Sequence, residues 1–109
     1  MNTTYNNENR KRFKDVKKGD YVYHITKNKD GVYELHRVNV IDVRDTVTEK
    51  GILTDIVTAN AIMLCLSTDE LRNGSVYGRN GESTYYADEQ EVAFAANNIV
   101  KSEKFISLL

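Results

Sequence analysis

The chain has 109 residues, 15 Lys and Arg against 16 Asp and Glu, and 40% hydrophobic residues. That length holds one modest core rather than two, and the composition excludes disorder over the whole chain. A single cysteine, Cys65, excludes an intrachain disulfide, and the longest apolar run, residues 61–66, is too short to cross a bilayer, so the expectation is a cytoplasmic protein without membrane contact.

The net charge of −1 hides an asymmetry. Arg10, Lys11, Arg12, Lys14, Lys17 and Lys18 face only Glu8 and Asp15 in the first eighteen residues, a local excess of four positive charges, while the remainder carries nine basic and fourteen acidic groups. Attraction to polyanions is therefore expected only in the N-terminal segment. Residues 1–12, polar and basic, read as a flexible arm that orders too little apolar surface to fold; residues 13–109 read as one domain.

Along that domain, Lys17-Lys18-Gly19-Asp20 is a turn leading into a strand over residues 21–26. Asp30-Gly31 between two alternating segments signals a hairpin. With those two residues at the centre of the turn, Tyr21, Tyr23 and Ile25 share an apolar face with His36, Val38 and Val40. His24 then faces Arg37, and the two histidines lie on opposite faces. The second strand is long, residues 32–43, and bends where the apolar phase shifts at Val40 and Ile41. A third strand is predicted over residues 52–58. Residues 61–66 read as a strand covered on both faces, with Cys65 an inert core residue. Arg72-Asn73-Gly74 and Arg79-Asn80-Gly81 read as tight reversals around Val76-Tyr77, before a short strand over residues 84–87.

Asp88 with Glu91 three residues on marks a helix start, and Val92, Ala95, Ala96 and Ile99 form an apolar stripe, giving a helix at about 88–101 that lies on the barrel or across its end. The apolar tail of Phe105, Ile106, Leu108 and Leu109 is expected to dock on the domain or on a second copy.

The segment Val16-Lys17-Lys18-Gly19-Asp20-Tyr21-Val22-Tyr23, the hairpin after it, and Thr84-Tyr85-Tyr86-Ala87-Asp88-Glu89-Gln90-Glu91-Val92-Ala93 resemble small SH3-like barrel proteins common in phages and mobile elements. The resemblance implies a mainly β fold, a small SH3-like barrel of about five strands with a C-terminal helix. It implies a phage or mobile-element origin, hence a host cytoplasm, and carries over no activity, cofactor or site residue.

Chemistry-bearing residues are sparse. His24, His36 and Cys65 make none of the short spacings of zinc sites, no carboxylate pair can be assigned to one cleft, and no Walker loop or dinucleotide fingerprint is present. The chain is accordingly expected to be no enzyme and to hold no metal or cofactor. Gly78-Arg79-Asn80-Gly81 matches the GxxG loop of KH domains but lies between strand-like segments, so it reads as a hairpin turn.

Two surfaces remain. Arg10, Lys11, Arg12 and Lys14, beside Tyr5 and Phe13, could contact phosphates. Tyr77, Arg79, Tyr85 and Tyr86 form an aromatic and Arg set of the kind enriched at protein interfaces. The expected function is a non-enzymatic interaction module for a protein partner. The alternatives are weak, sequence-independent nucleic-acid binding through the N-terminal segment, and a structural component that self-associates through its apolar C-terminus.

Overall fold

A computed structural model of the protein describes residues 7–78 and 83–109. Gly19, at φ +95°, closes the turn in which the Asp20 amide donates to the Lys17 carbonyl, and the chain enters strand β1 (Tyr21–Lys27). It returns as β2 (Tyr33–Thr48), a strand of 16 residues.

The connecting turn differs from the two-residue one expected. The Asn28 amide donates to the Val32 carbonyl (2.9 Å), and the Asn28 side-chain oxygen accepts from the amides of Asp30 and Val32. Residues 29–31 thus form a three-residue loop that ends on Gly31 in the left-handed region, φ +79°. One more loop residue moves the register by one, so Tyr23 pairs with Arg37 and His24 with His36. Because side chains alternate, that shift exchanges faces. Contrary to the expected register, His24 and His36 share a face with Val22 and Val38, while Tyr21, Tyr23 and Ile25 share the other with Arg37 and Leu35. A two-faced split into apolar and polar does not arise, because both faces of this hairpin are partly covered.

The bend expected at Val40 and Ile41 is present as a register shift between Val40 and Asp42, after which β2 pairs with β3 (Gly51–Thr58). β4 (Met63–Ser67) follows, with Leu64 and Leu66 buried and Met63 and Cys65 exposed. The segment is therefore covered on one face only, and Cys65 is not a core residue. An unforeseen helix, α1 (Thr68–Asn73), starts at a capping box: the Glu70 amide donates to Ser67 Oγ and the Ser67 amide to Glu70 Oε1. β5 (Val76–Gly78) and β6 (Ser83–Tyr86) lead to α2 (Glu89–Val100) and β7 (Phe105–Ser107). Strands thus number seven among the described residues, not about five; the excess is the two three-residue strands β5 and β7, too short to leave a periodic signal.

Successive antiparallel pairings give the order β4-β3-β2-β1-β6-β5, a sheet nearly closed into a barrel, with β7 pairing parallel to the start of β2. Inside lie Val22, Val38, Val40, Ile56, Leu64, Leu66 and Tyr85, and the 3-10 turn Phe13–Asp15 inserts Phe13, 1% exposed, among them. Outside the β1–β2 hairpin, Ile25 and Leu35 meet Val92 and Ala96 of α2, with Ile99 and Phe105 at the margin. The apolar stripe of the helix is what holds it there. The C-terminal segment docks on its own domain through Phe105, while Ile106, Leu108 and Leu109 remain about half exposed. Among the described residues no helix is long and apolar enough to cross a membrane.

Candidate binding surfaces

The basic segment is stitched to the barrel rather than free along its length. Residues 1–6, half of the expected arm, lie outside the described residues. Arg10 Nε donates to Ser75 Oγ (2.8 Å), and that hydroxyl, on a residue 4% exposed, donates to Glu91 Oε1 (2.6 Å). The Lys11 amide donates to Asp88 Oδ1 and its ammonium pairs with Asp20 at 3.2 Å. The Arg12 amide donates to Asp15, and the Phe13 amide to the Gly74 carbonyl. Lys14, Lys17 and Lys18 are exposed. Two of the four cations expected to meet phosphate are therefore engaged within the protein.

The tyrosine set does not make one exposed surface. Tyr77 and Tyr85 are cross-strand partners on β5 and β6, but Tyr85 is 6% exposed inside the barrel and Tyr77 packs against the same core. Tyr86 points the other way, beneath α2, as neighbouring residues of a strand must. Arg79 lies outside the described residues.

What the structure brings together instead is a cleft of about 750 Å3 between the segment of Asn9 and Lys11, the Gly19-Asp20 turn, the start of β1 and the first turn of α2. Its aromatic wall is Tyr21 and Tyr23; its rim carries Lys11, Asp20, Asp88, Glu89 and Gln90. The Arg37 guanidinium sits over the Tyr21 ring, 4.3 Å from its centre, a cation–π contact. Asp88 is committed as the helix cap, its Oδ2 accepting from the Glu91 amide (2.9 Å). The Asp20 carboxyl is held below its ordinary value by the Lys17 amide and then by Lys11. Burial, reinforced by Glu89, pushes the Tyr23 phenol up. The cleft is thus aromatic at its wall and charged in both signs at its rim.

Sequence reasoning placed Tyr21 and Tyr23 on a strand and Asp88 and Glu89 at a helix start, yet did not join them. The pairing of β6 with β1, Tyr86 against Tyr23, is what sets the helix start beside that wall, and no local signal encodes it.

A second polar group lies on the inner face of β1, β2 and β6. His24 stacks on Tyr85 (ring centres 4.0 Å apart, 2° between planes) and its Nε2 lies 3.0 Å from Ser83 Oγ. His36 Nε2 lies 2.9 Å from Glu34 Oε1, and Asn28 donates to the other carboxylate oxygen. The two imidazole centres are 6.3 Å apart. Burial, and then His36, lowers the His24 pKa. A hydroxyl, an imidazole and a carboxylate are all present, but the carboxylate orients His36 while the hydroxyl meets His24. The relay of nucleophile, base and orienting acid is split between two rings. Among the described residues no group of three or more His, Cys, Asp or Glu is placed to hold a metal ion.

No protein-family model matches the chain, and neither a curated protein nor a solved structure matches it.

Proposed function

We propose that the protein is a non-enzymatic, protein-binding module built on a small SH3-like barrel, and that its partner binds in the cleft walled by Tyr21 and Tyr23. The observation that carries this reading is the cleft itself: its volume lies in the range of binding sites, its wall is aromatic, and its rim offers hydrogen-bonding groups of both charges. A rim of mixed sign suits a protein segment better than a polyanion, which the carboxylates of Asp88 and Glu89 would repel. The SH3-like assignment is supported by the β1–β4 meander, by the pairing of β6 back onto β1, and by a long bent β2 shared between two sheets. The phage or mobile-element setting is what the resemblance implies.

Panning a displayed random-peptide library against the full chain tests the proposal. Enriched peptides should lose at least tenfold in affinity on Tyr21→Ser and on Glu89→Lys, two exposed positions whose replacement leaves both cores intact. Peptides that bind both variants unchanged would move the site elsewhere, and failure to enrich any peptide would count against a protein-binding role.

A further inference from the structure

The geometry points to a second docking surface, independent of the cleft: the open seam of the barrel between β4 and β5, which we infer receives one extended segment of a partner polypeptide by strand addition. Among the described residues β4 pairs only with β3, and β5 only with β6. Five antiparallel pairings separate them along the sheet, so they run in opposite directions. They also face one another, since a single groove of about 150 Å3 is lined by Cys65 of β4, Glu70 of α1, and Val76, Tyr77 and Gly78 of β5. Each strand presents to that gap a row of amide and carbonyl groups not used in the sheet.

Proteins protect such edges with charged side chains, proline or bulges. Neither Met63–Ser67 nor Val76–Gly78 contains a charge or a proline, and no bulge interrupts the pairing of β4 with β3; the protection at this seam is limited to the shortness of β5 and to α1, whose Glu70 borders the groove. The free edge of β7 is also uncharged, but it is one isolated row of three residues. The seam offers two rows at once, and only a polypeptide main chain carries donors and acceptors on both of its sides at strand spacing. A second copy of this domain does not fit, because its own β4 is embedded in a barrel on one side and cannot enter between two edges. A lone extended segment can, once the narrow gap parts.

The longer edge sets the direction. The segment runs antiparallel to β4 over Met63–Leu66, the more favourable pairing, since the Ser67 amide is held by Glu70 Oε1, and parallel to the three residues of β5. Once the gap parts, its inward side chains meet Tyr77 together with Leu64 and Leu66, which are covered in the closed barrel at 1% and 0% exposure, so they are apolar at every second position; its outward ones lie beside Met63, Cys65 and Val76, all exposed.

Cys65 provides the test. The peptide Ac-Thr-Val-Cys-Val-Thr-NH2 is equilibrated with the full chain in a thiol–disulfide buffer, beside the same peptide N-methylated at alternate amides. The unmodified peptide is expected to form the mixed disulfide with Cys65 at least tenfold more favourably, and Met63→Lys, a charge placed on the exposed row of β4, should abolish the difference while leaving the urea midpoint unchanged. Amide chemical shifts should move in both β4 and β5. Equal tethering of the two peptides, or shifts confined to β4, would overturn the two-edge proposal. Dimerisation of Cys65→Ser through β4, seen by sedimentation velocity and lost in the double variant with Met63→Lys, would assign the edge to a second copy and overturn it as well.

Discussion

Two turns of the same shape carry different residues at their last position. In residues 28–32 the left-handed place is held by Gly31, φ +79°; in residues 58–62 it is held by Ala61, φ +64°. Both loops close on the same kind of backbone bond, Asn28 N to Val32 O and Thr58 N to Ile62 O, each 2.9 Å. A Cβ at Gly31 would meet nothing nearer than Lys27 Cε at 4.0 Å, so the penalty of replacing it is conformational rather than steric. Gly31→Val should lower stability by about 1 kcal/mol or more, and Ala61→Gly should raise it by about 0.5 kcal/mol, once the greater freedom of glycine in the unfolded chain is offset. Urea midpoints at constant slope check both. His24 makes stability depend on pH. Its folded pKa lies below the ordinary 6.5 because burial, and then His36, disfavours the imidazolium. Between the folded value and 6.5 the unfolded chain binds more protons, so stability is full above that window and falls on acidification through it. Glu34 acts in the same direction further down: Asn28 and His36 hold its carboxyl below 4.5, and the stability it adds is lost as pH falls through the folded value. His24→Phe keeps a ring against Tyr85 and should flatten the upper part of the profile, read as urea midpoints at about pH 5.5 and 7.5.

At the scale of elements, the segment before β1 belongs to the core as well as to the surface. Phe13 is held from two sides: its amide by the Gly74 carbonyl, and the flanking chain by the bonds of Arg10 to Ser75 and Lys11 to Asp88. Phe13→Ala should cost about 3–5 kcal/mol, the range for emptying a buried phenyl site, and calorimetry should show one transition displaced to lower temperature. Much of the framework was legible. The Gly19-Asp20 turn, the long β2, its irregularity at Val40, and the capped helix with its stripe all follow from periodicity and turn chemistry. The register was not, because Asn28-Lys29-Asp30-Gly31-Val32 satisfies a two-residue and a three-residue loop equally well in sequence. Only the capture of two amides by Asn28 Oδ1 separates the two. Ser67-Thr68-Asp69-Glu70 did carry the signature of the α1 capping box, hidden by a helix too short to show an apolar stripe. The cleft was illegible for a different reason: Tyr23 and Glu89 are brought together by sheet pairing, and no local periodicity records a neighbour that distant in the chain.

For the whole molecule, charge decides what nucleic acid can do. With Lys11 bound to Asp20 and Arg10 to Ser75, the exposed cations of the N-terminal segment reduce to Lys14, Lys17 and Lys18, with Arg12 beside them. Neutralising about three or four phosphates would make affinity fall roughly 40- to 150-fold between about 50 and 200 mM salt. Oligonucleotide binding is therefore expected to be weak, sequence-independent and lost when Lys14, Lys17 and Lys18 are all replaced by Glu in the full chain. Deleting the segment is the wrong comparison, since Phe13 and Val16 would leave the core with it. Binding that survives the triple replacement would place the site elsewhere on the barrel.

The long second strand has one more implication. β2 gives its first half to the sheet with β1 and β7 and its second half to the sheet with β3, and the turn of register at Val40 is the corner between them. A barrel assembled from two separate sheets could in principle lose one and keep the other. Here the corner is a continuous backbone, so each sheet is built on the other's scaffold, and parting the edges of β4 and β5 would open the barrel without separating its two sheets.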